Sequence, residues 1–195
     1  MVTKIAILAW GSLIWKPGVL KISGDWDRDG PVLPIEFSRI SDNGRLTLVI
    51  DEKDGVDTVT RYAVSEFPEL DAAIKNLQER EGAPNQNRIG FVDLPRDRTN
   101  DWAAKQHPNA LRRIRVWAAQ RKIEAVIWTA IGPRFLEKRG EPFSPDAALR
   151  YLKSLDEPTR AMALEYILKA PSEVRTSVRR KVEFAFRAPS TGHGE

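Results

Sequence analysis

The residues best suited to chemistry fall in two short stretches. One is Leu77-Gln78-Glu79-Arg80-Glu81-Gly82, where two carboxylates close a helical pattern. Negative charge there meets the unfavourable end of the helix dipole. Glu79 and Glu81 either face solvent indifferently or one of them, held beside a sheet, has a raised pKa and serves as a general base. The other stretch is IAILAWGSLIWKPG, residues 5–18, in which an apolar run breaks at Gly11-Ser12 and resumes before Lys16-Pro17-Gly18. Such a corner is an ordinary strand end and turn, or it presents Ser12 and a row of backbone N–H groups to a ligand.

Other chemistries are poorly supported. A serine nucleophile elbow needs Gly-x-Ser-x-Gly, and Trp10-Gly11-Ser12-Leu13-Ile14 has neither flanking glycine in register. His107 sits in a polar loop and His193 in a polar tail, so no triad is expected. No Walker-type Gly-Lys-Ser/Thr and no Gly-x-Gly-x-x-Gly is present. The chain lacks cysteine, which removes disulfides, thiolate metal sites and a cysteine nucleophile. Asp25, Asp27 and Asp29 have the spacing of a calcium loop, but a glycine follows directly and no glutamate closes the set, so a solvated loop is expected. Neither a metal nor a cofactor is expected.

Two basic stretches remain. Arg112, Arg113 and Arg115 with Arg121 and Lys122 could meet phosphates while Trp117 stacks on a base. Arg175, Arg179, Arg180 and Lys181 form the second. A solvated face with apolar stems is the preferred reading of both, because nearby acids offset the charge.

The elements that would position these groups can be read from periodicity. Residues 3–9 fit a strand buried on both faces. Residues 25–34 form a polar connection. Segments 35–40 and 45–51 flank Asn43-Gly44, a hairpin signal, and 56–64 reads as one more strand. Pro68 opens a helix whose Leu70, Ala73, Ile74 and Leu77 share a face and which ends at Gly82. Strands are expected at 89–94 and 123–131, while 95–122 is ambiguous between helix and strand. Three helices follow, from Ser144, from Asp156 and from Pro171-Ser172, each with a capping signature. The order predicts an α+β (mixed α/β) domain with a small curved or barrel-like mixed sheet, flanking helices and C-terminal helices.

At 195 residues with 42% hydrophobic content the chain suits one domain with a substantial core, taken as 1–187 with a disordered tail at 188–195. Its net charge of +4 is mildly basic. No stretch approaches the ~20 apolar residues of a membrane span. The opening residues read as a strand rather than a signal peptide, and a cytoplasmic location is expected.

Together these pieces resemble the γ-glutamylcyclotransferase superfamily, most closely its ChaC-like, glutathione-degrading branch. The resemblance rests on Trp10-Gly11-Ser12-Leu13-Ile14-Trp15-Lys16-Pro17-Gly18, on Leu46-Thr47-Leu48-Val49-Ile50-Asp51 and on Leu77-Gln78-Glu79-Arg80-Glu81. It covers most of the chain, with an insertion expected at 96–122. It implies a γ-glutamylcyclotransferase-like fold and a cofactor-free enzyme of the lyase or acyltransferase type. The α-amine of a γ-glutamyl substrate would close on its own γ-carbonyl, giving 5-oxoproline and a released amine or peptide. Glu81 matches the catalytic acid/base, with Glu79 as fallback, and Trp10, Gly11, Ser12 and Leu13 match the substrate-binding loop. Two positions depart from the pattern: the loop tyrosine is Trp10, and no tyrosine follows Gly82.

The expected partner is a small-molecule γ-glutamyl substrate (amine, peptide or glutathione), with no membrane and no nucleic acid. Oligomeric state is left open. The alternatives are a non-catalytic small-molecule-binding or interaction module on the same fold and, behind it, a basic nucleic-acid-binding protein.

Overall fold

The computed structural model describes residues 4–186. They form an α+β domain of nine strands and seven α-helices, with the strands divided between two sheets. Residues 188–195, expected to be a disordered tail, lie outside the described residues.

Strand β1 (Ile5–Ala9) is buried along its whole length and runs through the middle of the larger sheet. It pairs antiparallel with β6 (Arg61–Ser65) and parallel with β9 (Ala125–Thr129). Side chains alternate across a strand, so β1 serves two cores. Ile5, Ile7 and Ala9 pack with Ala73, Ile74 and Leu77 of helix α1 (Leu70–Glu81). Ala6 and Leu8 face the larger core, which is shared with the smaller sheet and the later helices. Beyond β9 lie β7 (Ile89–Asp93) and the short β8 (Arg98–Thr99), both antiparallel.

The smaller sheet has β3 (Val32–Ile40) between β4 (Leu46–Ile50) and β5 (Val56–Val59). The β3–β4 hairpin turns at Ser41–Gly44 as its Asn-Gly pair predicts, with the Ser41 N–H donating to the Arg45 carbonyl at 2.9 Å.

Four sequence expectations need revision. The strand read over 56–64 is two strands, β5 and β6, in different sheets. Thr60 is the break: its hydroxyl donates to the Pro31 carbonyl at 2.7 Å, which pins the chain where it changes sheet. The polar connection from Asp25 hides the end of β2 (Ile22–Asp27), an exposed edge strand held by β6, and its other end, Val32–Pro34, already belongs to β3. The ambiguous 95–122 segment contains helices α2 (Asp101–Gln106) and α3 (Pro108–Gln120). Ala110, Ile114, Trp117 and Ala118 recur at helical spacing and are buried in the larger core.

Helices α4 (Phe135–Arg139), α5 (Pro145–Ser154) and α6 (Glu157–Lys169) follow, the last two capped by Ser144 and Asp156 as expected. Helix α7 (Ser177–Ala185) begins later than the Pro171-Ser172 signature suggests. Residues 171–175 are a turn that buries Val174, and Thr176 is the cap. The fully buried Glu36 carboxylate of β3 accepts from the Ser177 N–H at 3.0 Å and so fixes that start from across the core.

Candidate functional site

The loop after β1 is anchored on both sides of the sheet. Leu13 inserts into the α1-side core, while Trp15 packs edge-on against Tyr166 of α6, with ring centroids 5.5 Å apart. The backbone closes into a single turn: the Ile14 N–H donates to the Gly11 carbonyl at 3.0 Å and the Lys16 N–H to the Ser12 carbonyl at 2.8 Å. The N–H groups of Gly11, Ser12 and Leu13 find no acceptor among the described residues. Three successive unused donors at the head of a turn form a concavity suited to an anion. Trp10 is turned into the larger core, where its indole N–H reaches the Leu48 carbonyl at 3.4 Å.

Glu81 is the last residue of α1, and Gly82 stops the helix in the left-handed conformation (φ 59°). Its N–H returns to the Glu79 carbonyl, so the chain turns away and leaves the Glu81 side chain against the loop. The neighbouring Arg80 binds three things at once. It donates to the Glu81 carboxylate at 2.8 Å, to the Ser12 hydroxyl at 3.2 Å and to the Lys16 carbonyl at 2.7 Å. Burial lifts the Glu81 carboxyl above the usual carboxylate range, because a charge is hard to hold away from water; the Arg80 charge and hydrogen bond offset part of that rise.

A cleft of about 280 Å³ brings Trp10, Gly11, Ser12, Leu13 and Glu81 together. Its other walls come from residues that sequence reasoning missed. Tyr166 arrives from α6, and a side-chain carbon on Gly11 would stand 2.9 Å from its hydroxyl, so glycine is what allows the loop to approach. Burial raises the Tyr166 pKa, and the Glu81 charge adds to the rise while the Leu48 backbone hydrogen bond opposes it. The hydroxyl therefore keeps its proton at neutral pH and can donate a hydrogen bond. Arg39, Arg45 and Thr47 complete the wall on the side of the smaller sheet, and Thr129 closes it from the end of β9. No local signal marks Tyr166, because its spacing with Ala163 and Ile167 reads as an ordinary core face.

The remaining candidates separate from the cleft. Glu79 is exposed and does not line it, so the fallback base is excluded by position. Ser12 has its hydroxyl tied to Arg80, and among the described residues no histidine lines the cleft. His107 is buried at the α2–α3 junction, where burial lowers its pKa, and His193 lies outside the described residues. Asp25 and Asp27 are exposed on β2, and Asp29 pairs with Arg121 at 2.5 Å. Among the described residues no three metal-ligating side chains gather.

The stacking role considered for Trp117 fails, because its ring is buried against Tyr62 and its indole N–H donates to the Asp29 carbonyl at 2.9 Å. Arg179 is spent on Glu183 and on backbone carbonyls, including that of Ala170, and Lys181 pairs with Asp146. Among the described residues no helix is long and apolar enough to cross a membrane. The chain matches no protein-family model, no curated protein and no solved structure in the comparisons made.

Proposed function

We propose that the protein is a γ-glutamylcyclotransferase-like enzyme that converts a γ-glutamyl amine or peptide into 5-oxoproline and the free amine. The observation that carries this reading is one cleft holding a carboxylate of raised pKa beside three unused backbone N–H donors. The substrate brings its own nucleophile, so the protein has to fold the glutamyl chain back on itself, stabilise charge and move a proton.

In the proposed sequence the Gly11–Leu13 amides and Tyr166 hold the glutamyl moiety so that its α-nitrogen faces its γ-carbon, the proximity contribution to catalysis. Glu81 takes a proton from the α-ammonium. The nitrogen then bonds to the γ-carbon, and the carbonyl electrons move onto oxygen, where backbone N–H groups or the Tyr166 hydroxyl stabilise them. Collapse of this intermediate breaks the original amide bond as Glu81 returns its proton to the leaving nitrogen, and the second proton, shed by the ring nitrogen, passes through the same carboxylate to the released amine, which departs as an ammonium. Substrate and products balance without water or a redox partner. A carboxyl with raised pKa suits both halves of this exchange, being basic enough to accept and acidic enough to return the proton.

Incubation with a panel of γ-glutamyl dipeptides, γ-glutamyl amines and glutathione is expected to release 5-oxoproline from at least one of them, measured by liquid chromatography. No 5-oxoproline from any member overturns the catalytic reading and leaves a non-catalytic binding module.

A further inference from the structure

The charges lining the cleft do not balance. Arg39, Arg45 and Arg80 face one carboxylate, Glu81, which Arg80 already binds. A γ-glutamyl head group adds an α-carboxylate and an α-ammonium, which cancel. Two guanidinium groups are left over, both on the wall opposite the Gly11–Leu13 loop.

We propose that Arg39 and Arg45 form a receptor for a second anionic group, a carboxylate carried on the leaving-amine part of the substrate. Arg39 projects from β3 opposite Thr47, and Arg45 stands just before β4, so the hairpin puts them at diagonal positions along one wall of the cleft. Neither makes an ion pair among the described residues. Arg39 uses one nitrogen on the Gly132 carbonyl at 3.1 Å, and its other N–H groups remain available. Burial lowers its pKa, and Arg134 and Arg88 add like charge. The nearest acids are committed elsewhere: Asp42 binds Arg134 at 3.0 Å and Lys138 at 3.3 Å, and Glu137 binds Arg134 at 2.8 Å.

The Arg45 guanidinium carbon stands over the Tyr166 ring, 5.3 Å from its centroid, and only its Nε is engaged, by Asn43. This posture is held without any carboxylate. The same cleft contains the Thr129 hydroxyl, buried and without a partner. Half-buried cations with unspent donors beside an unsatisfied hydroxyl are left incomplete until a ligand meets them.

The inference rests on the γ-glutamyl reading only for orientation: the glutamyl end faces the loop and the second carboxylate faces the hairpin. Its test is equilibrium binding, by calorimetry, of γ-glutamylglycine and γ-glutamylglycinamide to the Glu81→Gln protein, in which turnover is stopped. The acid is expected to bind about 10- to 100-fold more tightly than the amide, the range for a charge-assisted hydrogen bond at a partly buried site. Arg39→Gln is expected to bring that ratio close to one, and Arg45→Gln to reduce it.

Equal affinity for acid and amide overturns the proposal, as does a ratio unchanged by Arg39→Gln or a failure of both compounds to bind. The acid-to-amide ratio in the protein with both arginines intact remains decisive if an arginine variant folds poorly. Discrimination without 5-oxoproline release by the wild type keeps the anion receptor and removes the catalytic reading. Release without discrimination does the reverse.

Discussion

Along α3 the guanidinium groups of Arg113, Arg115 and Arg121 meet Asp57, Asp97 and Asp29 at 2.6, 2.7 and 2.5 Å, with both partners reaching water. Around the cleft, Arg39 and Arg45 are half-buried and meet no carboxylate among the described residues. In sequence the α3 region looks the more basic of the two. Three of its arginines are paired in place and its one large aromatic, Trp117, is consumed by the core. The cleft holds fewer arginines, but two of them are unpaired among the described residues and sit in a drier place. Pairing and solvation, rather than the number of basic residues, decide where an anion would be drawn.

This contrast can be broken or sharpened by substitution. The largest effect is expected at the cleft's single carboxylate: Glu81→Gln should lower the rate of 5-oxoproline formation by about 10²- to 10⁴-fold, the usual contribution of a general acid/base. Circular dichroism should show the fold unchanged. On the α3 side, Trp117→Ala should cost about 3–5 kcal/mol of stability in urea denaturation, as for other buried large aromatics. A stable variant that had lost affinity for oligonucleotides would restore the nucleic-acid reading.

Arg80→Met tests the electrostatics of the cleft. Arg80 favours the ionised form of Glu81, so removing it raises the Glu81 pKa further. The carboxylate needed as base then appears only at higher pH, and the acid limb of the kcat/KM profile should move upward. An unmoved limb would show that another group titrates there. The smallest effect is expected at Arg113→Met, which breaks an exposed pair and should change stability by about 0–1 kcal/mol, leaving acid-against-amide discrimination untouched.

What the sequence revealed follows from how local each signal is. The buried run of β1, the Asn43-Gly44 hairpin and the helix ending at Gly82 are governed by short-range periodicity and turn chemistry, and all three can be read from the chain. The edge strand β2 has no apolar alternation and exists because β6 offers it a ladder. The break at Thr60 and the late start of α7 are set by Pro31 and Glu36, distant in sequence.

The candidate site divides in the same way. Gly11, Ser12, Leu13 and Glu81 belong to recognisable motifs. Tyr166, Arg39 and Arg45 acquire meaning only once α6 and the hairpin close over the loop, which no local pattern encodes. The α+β class was legible from element order, whereas the division into two sheets depended on pairings between distant segments.

The hold of Arg80 on Glu81, Ser12 and Lys16 has a dynamic consequence. One planar group spans the helix end and the turn, so a fluctuation that shifts the loop carries the carboxylate with it. The distance between base and amides then varies less than the position of either. Loop and helix end should behave as a single unit in native-state hydrogen exchange, opening together rather than in sequence.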